Sequence, residues 1–268
     1  MRDSRFPLLA ASISFAVFVL FASTAKAQTS GEPSSRKAVV VEMFTSEGCS
    51  TCPPADALLQ KLAGQQPVAD ADIVPLEEHV DVWDHEGWRD PYGSPEWTRR
   101  QLAYDSLFKK EGYTPQMIVN GESELLGSNE PQALSAISQA AHLVQTGVSI
   151  VPVKPEGKAP QKCTVSVEKL SGNTAGDVAE VWLAVTEDGL SSSVNRGENA
   201  GQLLHHTATL RSMHVIGTAK TNGGPTSFTG NPEVKIEPTW NRENVHIVVF
   251  VQEKKSRKIL GAASAKIS

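Results

Sequence analysis

Residues 38–62 read AVVVEMFTSEGCSTCPPADALLQKL, and their order decides the fold. Ala38 to Phe44 is an almost unbroken apolar run rich in Val39, Val40 and Val41, as expected of a strand buried on both faces. Thr45 to Thr51 is small and polar, with a break at Gly48. From Pro53 the pattern becomes helical, with Ala55, Leu58, Leu59 and Leu62 on one side. Cys49 and Cys52 sit at the junction with two residues between them.

A strand-to-helix turn of that spacing brings two sulfurs within bonding reach. A disulfide there closes a very small ring and contributes little chain-entropy stabilisation, which favours a redox pair over a staple. The free amides and the dipole of a helix start also favour a thiolate. Two other readings stay open: a static disulfide, and a metal clip. The clip has no second C-x-x-C or H-x-x-x-H to complete a ligand set.

Working outward, the N-terminus has the pattern of an export signal. Arg2 and Arg5 precede an apolar stretch from Phe6 to Phe21, and Ala25-Lys26-Ala27 is an A-x-A cleavage site. The alternative is an uncleaved anchor helix. We expect residues 1–27 to be a signal peptide and 28–37 a disordered lead-in, with no membrane segment after cleavage. The protein would then be periplasmic or secreted, in a disulfide-permissive compartment. With 268 residues, 40% hydrophobic content, a net charge of −5 and a pI near 5.8, the chain can fill one large or two ordinary cores. That charge argues against nucleic acid and anionic membrane surfaces as partners. Cys163 is left over, either as a core thiol or as a third thiol that the pair could trap. The adjacent His205 and His206 would point to opposite faces of a strand and so make no ready metal site.

The spacing predicts a second strand over Ile73–Val82, irregular near Pro75. Glu77, His79 and Asp81 would share one face, and His79 or Asp81 could move the proton of thiol exchange; a solvated edge strand is the plainer alternative. Residues 83–92, WDHEGWRDPY, form a loop. Trp83 and Trp88 either pack as a lid or wall a substrate site. Ser94-Pro95-Glu96 starts a helix that Gly112 ends. Thr114-Pro115 precedes an apolar strand, and a cis Pro115 there would present main-chain groups beside the thiols. Asn120-Gly121 is a hairpin turn, and Asn129-Glu130-Pro131 begins a third helix.

This succession of strand, C-x-x-C, helix, strand, helix, Thr-Pro, two strands and helix resembles the thioredoxin fold over about residues 38–146. More closely, FTSEGCSTCPPAD, HVDVWDHEGWRDPYGSPEWTRRQ, YTPQMIVNG and RGENAG resemble the secreted family catalogued as domain of unknown function 1223. The resemblance implies a thioredoxin-like fold, with Cys49 as the exposed nucleophile, Cys52 as the resolving thiol and Pro115 as the cis proline. It implies export and no established substrate, and we expect no cofactor and no bound metal. Two departures stand out. Gly48 replaces the usual aromatic residue. Pro53 and Pro54 lack amide donors, and Pro53 should push Cys52 out of helical geometry.

We expect residues 38–147 to form the thioredoxin-like domain and 148–162, rich in Pro and Lys, to be a linker, with room for a short strand at its start. Residues 163–268 show alternation in Val165/Val167 and Ala179/Val181/Leu183/Val185, the pattern of an all-β sandwich-like domain. Arg196 to Asn199 is a polar turn, or else a loop facing the thiols. The expected activity is thiol–disulfide exchange with an exported protein or a small thiol or disulfide. The alternatives are a binding module with a static disulfide, and a periplasmic copper carrier using both thiolates with His79 nearby.

Overall fold

The computed structural model describes Met1 and residues 36–267, apart from 158, 173 and 220–226. The expected signal peptide and nearly all of the lead-in lie outside the described residues. No helix among those residues is long and apolar enough to cross a membrane.

The chain runs β1 (Lys37–Thr45), α1 (Pro53–Gln65), β2 (Ala71–His79), α2 (Pro95–Phe108), β3 (Gln116–Val119), β4 (Ser123–Leu126) and α3 (Glu130–Ala141). The strand-rich second half is β5 (Val148–Val153), β6 (Gln161–Val167), β7 (Ala179–Glu187), β8 (Leu190–Ser193), β9 (Leu203–His206), β10 (Thr209–Ala219), β11 (Phe228–Gly230), β12 (Glu233–Val234), β13 (Val245–Glu253) and β14 (Ile259–Lys266).

β1 is buried on both faces, as its composition requires. Val39, Val41 and Met43 pack with Leu58, Leu59 and Leu62 of α1 and Ile137 of α3. Val40 and Phe44 face the other way, toward Trp97 and Tyr104 of α2. β1 lies parallel to β2 and antiparallel to β3. The β3–β4 turn has φ of 48° at Asn120 and 69° at Gly121, the left-handed pair of a tight hairpin. A Cβ at Gly121 would also lie 1.9 Å from the Arg257 carbonyl oxygen, so only glycine fits. The Ser94 hydroxyl accepts from Glu96 N at 3.1 Å and Asn129 Oδ1 from Gln132 N at 3.2 Å, which caps α2 and α3 as expected.

The second half departs from expectation in its partners. Its strand positions match the alternation closely, but its long strands do not form a separate body. One eight-stranded sheet runs β14-β13-β7-β10-β2-β1-β3-β4. The seam is narrow: Thr209 of β10 pairs with Glu77 of β2, and Glu77 N donates to Ala208 O at 3.0 Å. Alternation tells which face a residue occupies but not which strand lies beside it, so the sequence suggested two domains where the sheet is continuous. The expected linker carries β5 at its start, where a short strand had room, and the start of β6 at its end, so only its middle connects. A sandwich does exist locally. β5, β6, β11 and β12 form a four-stranded sheet whose Cys163, Val165 and Val167 pack with Leu183 of β7 and Val249 of β13.

A buried charge cluster ties the halves together. Arg100 of α2 lies 2.5 Å from Glu42 of β1 and donates to Gln252 of β13 at 3.1 Å. The Tyr104 hydroxyl donates to Glu42 at 2.6 Å. Glu42 interrupts the apolar run of β1, and its buried charge is tolerated because it is paired and hydrogen-bonded.

Candidate functional site

The thiols sit where β1 gives way to α1. Both are reduced and unbonded to each other. Cys52 caps the helix with φ −78° and ψ −39°. That is helical geometry, contrary to the expectation from Pro53; the Cys52 carbonyl already accepts from Ala55 N and Asp56 N, at 2.8 and 3.1 Å, and these two bonds hold it there. Pro53 and Pro54 leave no amide at the first helical positions to face Cys49. The Cys49 thiolate is instead favoured first by hydrogen bonding from Cys52 and then, against the opposing effect of burial, by Thr114 and Thr51. Together they bring its pKa down to about 6. Burial, then the adjacent Cys49, push Cys52 far above the ordinary thiol range. The two sulfurs are thus strongly split, one poised as thiolate and one as thiol.

The peptide between Thr114 and Pro115 is cis. The Thr114 carbonyl lies 3.8 Å from Cys49 Sγ and accepts from Thr51 Oγ1 at 3.3 Å. Trp83 Nε1 donates to Thr114 Oγ1 at 2.8 Å. The same tryptophan explains Gly48: a Cβ there would stand 2.8 Å from Trp83 Cβ. An aromatic side chain from a distant loop occupies the ground beside the residue preceding Cys49. Trp88 Nε1 donates to Glu47 Oε2 at 2.7 Å. Both half-buried indoles therefore brace the site.

Arg196 to Asn199 faces the thiols. Asn199 Nδ2 donates to Glu47 O at 2.9 Å and to Cys49 O at 3.0 Å, and Ser50 N donates to Glu198 Oε2 at 3.2 Å. Beneath this loop Cys49 is only 2% exposed, while Ser50 and Thr51 are open to solvent.

Below the thiols lies a second group. His79 of β2 donates from Nδ1 to Asp90 Oδ2 at 2.7 Å, and His206 of β9 from Nε2 to Glu47 Oε1 at 2.9 Å. Their other nitrogens approach Glu77, His79 Nε2 at 3.4 Å and His206 Nδ1 at 3.5 Å. Thr209 Oγ1 donates to Glu77 Oε2 at 2.9 Å. Burial opposes charge on both rings, but Asp90 and Glu77 hold His79 well above its ordinary pKa. Glu47 and Glu77 bring His206 up to about 9. Asp56 of α1 accepts from the Thr45 hydroxyl at 2.7 Å. Burial, then the Glu77 charge, push its pKa up to about 7.

Of the residues singled out in the sequence, Cys49, Cys52, Thr114 and Pro115 meet at one place, with Trp83 and Trp88 around them. His79 turns its two nitrogens to Asp90 and Glu77. Asp81 lies past the end of β2 and accepts from Thr98 Oγ1 at 2.6 Å; the strand stops at His79, so the shared face of Glu77, His79 and Asp81 stops there too. Cys163 is fully buried in the β core. The pair His205-His206 does split, the first exposed and the second buried, yet His206 finds its partner in His79. Asp56 and Glu47 were missed, because their roles depend on neighbours remote in the chain; Asn199 lies in the turn that the sequence offered as a loop facing the thiols.

No curated protein matches the chain. Among solved structures it is similar to Protein AGR_C_4864 from Agrobacterium tumefaciens, with 25% identity, 85% of this chain and 94% of that chain covered, and a TM-score of 0.64. HBP35 of Porphyromonas gingivalis is similar in fold at 17% identity, covering 88% of this chain and 77% of the other with a TM-score of 0.62. The family described as "Protein of unknown function (DUF1223)" matches residues 40–252, most of the chain, and the protein belongs to that family.

Proposed function

We propose that the protein is an exported, thioredoxin-like thiol–disulfide oxidoreductase. The observation that carries this reading is the split pair beside a peptide carbonyl: Cys49 with a pKa near 6, Cys52 far above it, and Thr114 O at 3.8 Å before cis Pro115. The order of β1, the thiol turn, α1, β2, α2, the Thr-Pro loop, β3, β4 and α3 supports the thioredoxin-like assignment. Residues 1–27 support export.

In the reductive direction the Cys49 thiolate attacks one sulfur of a substrate disulfide. The substrate S–S bond breaks, a Cys49–substrate disulfide forms, and the other substrate sulfur leaves as thiolate and takes up a proton. Cys52 then loses its proton and attacks Cys49 Sγ. The Cys49–Cys52 bond forms and the second substrate thiol departs. Asp56, buried and with a pKa near 7, is the side chain suited to accept the Cys52 proton. A nucleophile thiol pKa near 6 stabilises the reduced pair, so the disulfide form donates its bond readily. The substrate class is an exported protein thiol or a small thiol or disulfide.

The test is trapping. Cys52→Ser accumulates mixed disulfides with partners in the exporting cell, and Cys49→Ser abolishes both trapping and insulin reduction. Equal behaviour of the two variants defeats the reading. The near-complete burial of Cys49 favours a second reading, a binding module whose thiols are closed to large substrates. In that case native Cys49 resists alkylation while small thiols leave the pair unchanged.

A further inference from the structure

His79 Nε2, His206 Nδ1 and Glu77 Oε1 are all buried and all lack a hydrogen-bond partner. Their residues are 1%, 2% and 0% exposed. One atom from each lies within 4.8 Å of the other two. Each ring already spends its remaining nitrogen on a carboxylate, His79 on Asp90 and His206 on Glu47. If those nitrogens carry the protons, as hydrogen bonds to carboxylates require, two imidazole lone pairs converge on the Glu77 carboxylate, His79 Nε2 toward Oε2 and His206 Nδ1 toward Oε1. Three acceptors facing one another in a dry interior repel unless a second proton on each ring or a cation lies between them.

We propose that Glu77, His79 and His206 form a binding site for a first-row divalent cation of the zinc and iron(II) kind. The ligand set is two neutral imidazoles and one carboxylate, a borderline donor set that suits these ions. The separations fit. With metal–ligand bonds of about 2.0–2.1 Å, neighbouring ligands of a tetrahedron stand about 3.3–3.4 Å apart, against 3.4 Å from His79 Nε2 to Glu77 Oε2 and 3.5 Å from His206 Nδ1 to Glu77 Oε1, so an ion between the rings would meet both edges of the carboxylate. The outer shell is that of a metal site as well. A carboxylate behind each histidine fixes its tautomer and raises its basicity, and Thr209 Oγ1 donates to Glu77 Oε2, the oxygen nearer His79, which fixes the carboxylate and leaves Oε1 open toward His206. Charge allows the ion: Glu77, Asp90 and Glu47 supply three negative charges, which two neutral rings and one dication leave at −1. The rival arrangement, two imidazoliums and no ion, reaches the same total. The ion would cross-link β2, β9 and, through Glu47 and Asp90, the two loops that surround the thiols.

The experiment uses the whole chain carrying Cys49→Ser and Cys52→Ser, so that sulfur cannot hold the probe. Its result is therefore independent of the thiol reading. The protein is stripped with chelator and exposed to Co²⁺ or Zn²⁺, both folded and during refolding, because the site is closed. We expect stoichiometric Co²⁺ uptake with the visible bands of a nitrogen- and oxygen-ligated, low-coordinate ion, displaced by Zn²⁺. Zn²⁺ also raises the Tm. His206→Gln abolishes uptake, and Asp90→Asn and Glu47→Gln weaken it about 10–100-fold. Should His206→Gln prevent folding, the two outer-shell variants decide the matter. Uptake that survives all three changes overturns the proposal. So does the absence of uptake and of any Tm shift, with imidazole nitrogen shifts that report both rings protonated at neutral pH.

Discussion

Asn199 lies 150 residues beyond Cys49, and its side-chain amide donates to the Cys49 carbonyl at 3.0 Å. The same amide reaches Glu47 O at 2.9 Å. One buried side chain from the second half thus holds two main-chain oxygens of the thiol turn. Asn199→Ala takes the amide from Glu47 O and leaves Cys49 O with only Cys52 N at 3.2 Å, which costs about 1–3 kcal/mol. It also loosens the loop that covers Cys49. We expect a lower denaturation midpoint and faster alkylation of Cys49 in the native state. Unchanged alkylation would mean that another group closes the site.

The thiol pair should titrate unevenly. The Cys49 pKa is brought down to about 6, so its alkylation rate should climb as pH rises through 6 and level off by neutrality. An ordinary thiol would still be gaining reactivity near pH 8.5. Cys52 should stay unmodified until the protein unfolds. Since Cys52 is the largest contributor to the low value, Cys52→Ala should move the Cys49 midpoint upward. A profile that ignores the change would assign the thiolate to other donors.

Gly48 is tested by its smallest enlargement. Gly48→Ala sets a methyl group 2.8 Å from Trp83 Cβ and 3.2 Å from the Trp83 carbonyl oxygen. Backbone cannot yield as a side-chain tip does, so we expect a loss of about 1–3 kcal/mol. Trp83 should give way first. Its fluorescence should change, and with it the bond from Nε1 to Thr114.

Arg100 carries the buried cluster between α2, β1 and β13. Arg100→Met strands the Glu42 carboxylate in the core and should destabilise by about 3–5 kcal/mol. Replacing Arg100 and Glu42 together with apolar residues should recover much of that loss. A double variant as weak as the single one would place the damage in packing.

The helical half was legible because its signals are local. A buried strand, a thiol turn, capped helices and an Asn-Gly hairpin each write themselves into a few adjacent residues. The strands of the second half were legible by alternation for the same reason. The eight-stranded sheet was not, since it depends on a single register pair, Thr209 with Glu77, and nothing near either residue announces the other. The site divides in the same way. The two cysteines and Thr114-Pro115 could be read from spacing. The setting of His206 against His79 could not, because its neighbours converge from β2, β9 and the loops at Glu47 and Asp90.

Thr209 follows Glu77 by 132 residues, and this distance bears on how the molecule is made. During synthesis β2 leaves the ribosome with one flank bare long before its neighbour exists. Main-chain groups left open in this way invite pairing with other molecules. Distant closure also slows acquisition of the native state. The newborn chain therefore needs either guarded passage or time, and a truncated version ending after α3 should aggregate instead of yielding a miniature of the parent.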